Sequence, residues 1–446
     1  MKHNQKILLG ITFAIVLALF ILQHSLRLSW DFMAYVLNSE YLFYHGNYFE
    51  LYRAPLTPII IAAFHTFGRF LAEYLYIIFA AALHCFSCIR LGKKLGFNPL
   101  VYYWVSLTPF LLVRGLAEGT ELLSLALIQL ALATLEEKKS AFFIGLAFLN
   151  HYANLIYTPI LLFKKDMKQL IISALILLMI VSPWLIYNHL TTGNPFTSLA
   201  DSYALNVKFR DYLSQPFNFI HLLGALGYYL PFLIYGIYLK FKHKPEKAAL
   251  IMAFLIAAAL YSYSAVPLKS ARYLIVLLIP VAYFTMASIA SFANVKKLAC
   301  TILVINLIIS ISLIAFTPII TLEKKSTYQN IELPDECAVL SNAWVHLNYF
   351  GITAQSAPWE QLLAYEVNQG SRIVLFKHIR DPQYPDAAFK SLPKIKENAQ
   401  FIIFGNASLC RPPPQKVTAT YIEKLKRVYK LGYNESFEVA IFGIKY

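Results

Sequence analysis

Residues 29–58 read SWDFMAYVLNSEYLFYHGNYFELYRAPLTP, and their neighbours decide what this stretch is. Before it lies an apolar run over 7–25, and after it another over 70–91. Each is long enough to cross a hydrocarbon core, which takes about 20 apolar residues. Segment 26–56 is therefore the first long loop of a polytopic membrane protein. The same measure carried along the chain marks nine full spans: 7–25, 70–91, 98–114, 119–135, 169–188, 218–240, 248–265, 272–293 and 297–320. Composition agrees, with 58% hydrophobic, 15% aromatic and only 14% charged residues in 446 and a mean hydropathy of +0.55, where soluble domains carry about 25% charged residues. That balance excludes a soluble enzyme and a disordered chain, and five cysteines exclude a disulfide scaffold. The net charge of +15 is scattered as short clusters between apolar runs, so it reads as topology signal and not as a nucleic-acid surface.

The clusters give the sidedness. Lys2/Lys6, Arg90/Lys93/Lys94, Lys138/Lys139, Lys164/Lys165/Lys168, Lys240/Lys242/Lys244/Lys247 and Lys296/Lys297 all fall on one side if the first run is a retained anchor. It lacks a small-residue cleavage site, and positive-inside bias makes that side cytoplasmic. Residues 140–163 are apolar but flanked by lysines on both ends, with a polar middle at Asn150–Asn154. A hairpin of two short helices, its tip toward the outer side, keeps both clusters inside; one tilted helix is the alternative. After Pro318 the sequence turns mixed polar, and alternating strand-like and helix-like stretches predict a small extracytoplasmic α/β domain over 321–446. The predicted strands are 337–340, 372–376, 401–404 and 437–444, with helices around 359–368 and 418–430. The expected whole is an all-α bundle of about eleven helices over 1–320, carrying this domain, in the cell (plasma or inner) membrane. Cys337 and Cys410 both lie in that domain and could form a bridge. Cys85 and Cys88 sit within a span and read as small buried residues.

Ionisable groups near a membrane surface usually have a partner or a task. Asp31 follows the first span closely, Tyr35 lies one helical turn on, and Arg53 precedes Ala54-Pro55-Leu56-Thr57-Pro58. The intervening tyrosines, Tyr52 among them, also read as a plain interfacial belt. Glu121 and His151 are further candidates, with a buried structural role equally open to each.

These motifs in this order resemble the GT-C superfamily of glycosyltransferases, close in pattern to the polyprenyl- or dolichyl-phosphate-sugar-dependent protein mannosyltransferase and lipid A aminoarabinose transferase group. Asp31, Tyr35, Arg53, Pro55 and Leu56 match its first loop. SPWLIYNHLTTGNPF at 182–196 and SARYLIVLLIP at 270–280 match its later Pro-Trp and Arg-Tyr-Leu stretches. The resemblance implies an inverting transferase moving a hexose or pentose from a polyprenyl-phosphate donor to a lipid, glycan or protein acceptor on the outer side. In that reading Asp31 is the general base, Arg53 and Arg272 hold the donor phosphate, and Tyr35, Tyr52, Glu121 and His151 touch substrate. Phe32 and Tyr52 stand where relatives have acidic residues, which leaves a divalent metal cofactor open. The first loop, the hairpin tip and the Arg272 segment are expected to line a cavity. A multi-span lipid or solute transporter, or a decayed GT-C-like scaffold, are the alternatives; the first lacks the paired repeats such proteins usually show.

Overall fold

The structure is a computed structural model that describes residues 3–164, 166–208, 214–316, 323–328, 331, 333, 337–358, 360–379, 384, 386–419, 438–439 and 444–445. The chain forms two compact units, Met1–Ser25 with Ala54–Ile320, and Leu26–Arg53 with Thr321–Tyr446. The sequence reading assigned the first loop to the membrane domain; in the structure it groups with the C-terminal segment.

Among the described residues of the first unit, seven helices are long and apolar enough to cross a membrane: His3–Leu26, Arg69–Lys94, Met167–Thr192, Phe219–Phe241, Lys247–Ala265, Ala271–Ile289 and Val295–Phe316. Two of the nine stretches expected to span, 98–114 and 119–135, are not among them. Segment 98–114 is two short helices, Pro99–Ser106 and Pro109–Arg114. Pro109 has no N–H to donate and keeps Thr108 out of the helical region, at φ −66° and ψ 156°. Thr108 then caps the second helix, its hydroxyl accepting from the Leu111 N–H at 3.2 Å. Segment 119–135 holds only Glu121–Ala133, about 20 Å of helix at 1.5 Å per residue. Met167–Thr192 has just 17% of its apolar window buried, while Ala271–Ile289 has 89%. The first turns bare apolar side chains outward, as lipid-facing helices do, and the second forms the middle of the bundle. Gly236 allows its helix to lie against the backbone of Phe284, which any Cβ there would overlap.

The hairpin forms. Helix Lys139–Asn150 breaks at His151, which is extended (φ −156°, ψ 118°), and a 3-10 helix runs over Tyr152–Phe163. The chain returns to its entry point: Lys164 Nζ donates to the carbonyls of Leu135 and Glu137 at 2.8 and 2.7 Å. A single helix would have left these groups a full crossing apart.

In the second unit helix Trp30–Tyr44 starts at Ser29, whose hydroxyl accepts from the Phe32 N–H at 3.1 Å. Asp31 falls in its first turn, where the helix dipole favours an anion. Two strand pairs sew the loop to the C-terminal segment, Arg27–Leu28 antiparallel to Glu323–Lys324 and Tyr48–Glu50 parallel to Val417–Ala419. The domain itself is the expected α/β layer. Its five-stranded mixed sheet has the order Ala354–Ser356, Val339–Ser341, Arg372–Phe376, Phe401–Phe404, Lys394–Glu397. Helix Glu360–Asn368 covers it through Leu363 and Val367, on a core with Leu340, Ile373 and Phe404. Cys337 and Cys410 are bridged, and Cys85 and Cys88 are buried free thiols. Of the helix expected over 418–430, the beginning is strand instead, and 420–430 lie outside the described residues. At the end of the chain Glu438–Val439 pairs with Ile444–Lys445 as a separate ribbon.

Candidate functional site

The expected site residues fall into two polar clusters, one in each unit. In the second unit the centre is Arg53. Its Nη1 donates to Asp31 Oδ1 at 2.9 Å, and its Nε donates to Glu50 Oε2. Tyr35 and Tyr52 flank the guanidinium, their ring centres 5.1 and 5.3 Å from its carbon, which is cation–π distance. Glu50 is fully buried, whereas the Asp31 side chain is 26% exposed. Asn38 fixes the backbone of Glu50 from both sides, donating to its carbonyl and accepting from its N–H, each at 2.9 Å. Burial works against the charge on Arg53, but Glu50, Tyr52 and Asp31 together hold its pKa well above the ordinary value. Burial, and next the charge on Glu50, push the Tyr48 and Tyr52 phenols well up, so neither ionises near neutral pH. Asp31 is the acid of this cluster that a substrate can reach.

In the first unit Arg272, Glu121 and His151 line one cleft with about 390 Å³ of empty space. They come from three elements: Glu121 opens its helix, His151 is the break in the hairpin, and Arg272 sits in the 3-10 segment Ala271–Leu277. Glu121 caps its own helix, with Oε2 accepting from the Thr120 N–H at 3.1 Å. Arg272 Nη1 donates to Glu118, which is buried, and the guanidinium lies 5.2 Å from the Tyr273 ring centre. Asn150 braces the cleft from behind. Its amide donates to the Thr120 carbonyl and to Ser124 Oγ, both at 2.8 Å, and its oxygen accepts from Thr57 Oγ1 at 2.7 Å.

A second opening of about 390 Å³ is a mostly apolar groove walled by Phe110, Ile220, Tyr228 and Leu313, with Arg114 and His221 among its polar groups. Ala271 lines this groove while Arg272, the next residue, lines the cleft. The two therefore open on either side of one stretch of backbone. Arg114 lies within electrostatic reach of Arg272 and Glu121. Trp184 and Asn188 instead serve the bundle, donating to Ser198 Oγ at 3.0 and 2.9 Å.

Glu50, Glu118 and Arg114 join the site residues that the sequence suggested. The signal for Glu50 was its place three residues before Arg53. Nothing local pointed to Arg114, whose relation to Arg272 exists only in the folded bundle. The residues present do not fit a divalent ion. Asp31 and Glu50 are both engaged by Arg53, and among the described residues no group of three or more His, Cys, Asp or Glu could hold a metal.

No protein-family model matches the sequence, and no curated protein does. Among solved structures, ArnT from Cupriavidus metallidurans bound to undecaprenyl phosphate is similar at 10% identity with a TM-score of 0.67, covering 92% of this chain and 100% of that one. The Archaeoglobus fulgidus oligosaccharyltransferase tethered with an acceptor peptide is similar at 12% identity with a TM-score of 0.57, covering 91% and 74%. The archaeal oligosaccharyltransferase AglB from Archaeoglobus fulgidus, in complex with an inhibitory peptide and a dolichol-phosphate, follows at 10% and 0.54, covering 91% and 75%. These are GT-C glycosyltransferases. At such identities the likeness is one of fold, and the fold resemblance read from the motifs holds over most of the chain.

Proposed function

We propose that this protein is an inverting membrane glycosyltransferase that moves a sugar from a polyprenyl-phosphate donor to an acceptor on the outer face of the membrane. The observation that carries the reading is the apolar groove with Arg114 in its wall and Arg272 one residue beyond its edge. A long isoprenoid with a charged phosphate at one end needs such a surface: apolar walls for the tail, guanidinium groups for the head. The fold shared with a protein solved with undecaprenyl phosphate bound supports the same donor class.

In this reading Arg272 and Arg114 hold the phosphate and stabilise the charge that grows on it as the glycosidic C–O bond breaks. The acceptor oxygen attacks the anomeric carbon and gives its proton to a base, for which Asp31, the partly exposed acid of the second unit, is the candidate. The bond electrons leave with the polyprenyl phosphate. Glu50, the other carboxylate beside Asp31, is enclosed and cannot serve as a covalent nucleophile, so one displacement with inversion is the chemistry these groups support. Glu121 and His151 face the cleft and touch the sugar or the acceptor. The outer placement rests on the basic clusters, 16 of the 24 basic residues in 1–320 lying on the cytoplasmic side.

The test is turnover of a radiolabelled polyprenyl-phosphate sugar by the purified protein, with release of polyprenyl phosphate as the readout. Lipid binding without any turnover, across lipid, glycan and peptide acceptors, would turn the reading into that of a substrate-binding scaffold.

A further inference from the structure

The contacts behind Asp31 form a chain of five side chains. Trp344 Nε1 donates to Tyr48 Oη at 3.0 Å, Tyr48 Oη donates to Glu50 Oε1 at 2.6 Å, Glu50 accepts from Arg53 Nε, and Arg53 Nη1 donates to Asp31 at 2.9 Å. Only the last member is partly exposed among the acids: Glu50 is at 0% and Asp31 at 26%. The two carboxylates thus have different standing toward an incoming molecule, although both grip the same guanidinium.

A buried carboxylate deprived of its cation is strongly unfavourable, so Glu50 keeps Arg53 in place, as Glu118 keeps Arg272. Two carboxylates on one guanidinium also carry a net negative charge, which repels a phosphate, whereas Arg114 adds positive charge near Arg272. That difference runs against the role the sequence suggested for Arg53. We propose that Glu50 is a positioning residue, which through Arg53 fixes the orientation of Asp31, and that Arg53 is the internal counterion of that carboxylate and not a ligand of the donor phosphate. A carboxylate held through one oxygen by a planar donor has its rotation fixed, and a nearby cation keeps it ionised; a general base requires both. Trp344 and Tyr48 extend the same support into the C-terminal segment. The catalytic part of this inference rests on the transferase reading above, whereas the grip of Glu50 on Arg53 does not.

The experiment uses the full-length protein and the variants Glu50→Gln, Glu50→Asp, Arg53→Lys, Arg53→Ala and Arg272→Gln. Labelling of Arg53 by phenylglyoxal, read by peptide mass spectrometry, is measured with and without undecaprenyl phosphate, alongside the Kd for that lipid and kcat and KM for its sugar conjugate. Arg53 should resist the reagent in the parent whether or not lipid is present, and should label at least about fivefold faster in Glu50→Gln, where the charge-assisted contact is lost. The Kd should stay within about threefold in Glu50→Gln, Arg53→Lys and Arg53→Ala, while kcat falls by about 10- to 100-fold; Glu50→Asp should recover part of it, which simple loss of fold would not produce. Arg272→Gln should do the reverse and weaken the Kd. The inference is overturned if undecaprenyl phosphate shields Arg53 in the parent, if Arg53→Ala weakens lipid binding as much as Arg272→Gln does, or if Arg53 labels at one rate with either residue at position 50. If Glu50→Gln cannot be purified folded, Arg53→Lys decides through the Kd and kcat arms. A parent that neither binds nor turns over the lipid defeats the transferase reading, and labelling still decides whether Glu50 holds Arg53.

Discussion

Asp31 and Arg272 carry opposite charges, each partly exposed and paired with a buried partner, and the two should fail differently when changed. Asp31→Asn keeps the shape of the side chain and an oxygen to accept from Arg53, but removes the basic site. Turnover should fall by about 10²–10⁴ with undecaprenyl phosphate binding retained, the usual worth of general-base catalysis. Arg272→Gln can still donate toward Glu118 but loses its charge. It should weaken the Kd for undecaprenyl phosphate by about 10- to 100-fold, corresponding to roughly 1.5–3 kcal/mol for a hydrogen bond to a charged group. Steady-state kinetics together with a lipid-binding titration separates the two classes. Unchanged transfer by Asp31→Asn would move the search to Glu121, because it lines the cleft while Glu50 and Glu118 are each held by an arginine.

Among the elements, the hairpin shows how a polar tip survives inside an apolar bundle. Asn150 is fully buried and its amide joins the hairpin to two other pieces of chain, one through Thr57 and one through Thr120 and Ser124. Asn154 adds bonds to Ser124 Oγ and to the Ala147 carbonyl, both at 2.8 Å. Every polar group at this depth needs such partners, since hydrocarbon offers none. Replacing Asn150 with Ala removes a donor from the Thr120 carbonyl, which keeps the Ser124 N–H, and an acceptor from Thr57 Oγ1, which keeps Tyr76 Oη. It should lower stability by about 1–3 kcal/mol, seen as an earlier thermal transition of the detergent-solubilised protein, and it should disturb the cleft carrying His151. An unchanged transition would mean that water replaces the amide. The short pieces 99–106, 109–114 and 121–133 make a related point. Their apolar run lengths resembled spans, but the Thr-Pro step at 108–109 is a capping signal that hydropathy counting does not register.

For the whole molecule, two measurements follow. The Cys337–Cys410 bridge closes a long loop, with a sequence separation of 73. In the chain-entropy account a paired Cys337→Ser and Cys410→Ser change should cost the C-terminal segment about 2–4 kcal/mol, readable as faster proteolysis of 321–446 in the full-length protein. Equal proteolysis of parent and variant would argue against the bridge as a stabiliser. The orientation is tested by cysteine labelling in intact cells. A residue introduced beside Lys138 should be closed to a membrane-impermeant reagent, and one introduced beside Lys394 should be open to it. The short helices over 98–114 and 119–135 are consecutive, so counting the pair as two crossings or as none leaves the lysine reading the same.

What the sequence determined by itself was everything carried by local composition. Apolar run length gave the membrane class and the long helices, lysine placement gave an orientation still to be tested by labelling, the polar break at 150–154 gave the hairpin, and the change after Pro318 gave the α/β layer. Each is a property of a window of the chain, and the bilayer's thickness translates windows into elements. The tertiary structure alone decided which charges meet. Arg53 is held by Glu50 as well as by Asp31, Arg272 is paired with Glu118, Arg114 stands in the groove wall, and the first loop is sewn to strands hundreds of residues away. Desolvation is the reason: a buried ion pair is fixed by the packing that excludes water around it, and that packing belongs to the assembled helices and strands, not to any one of them.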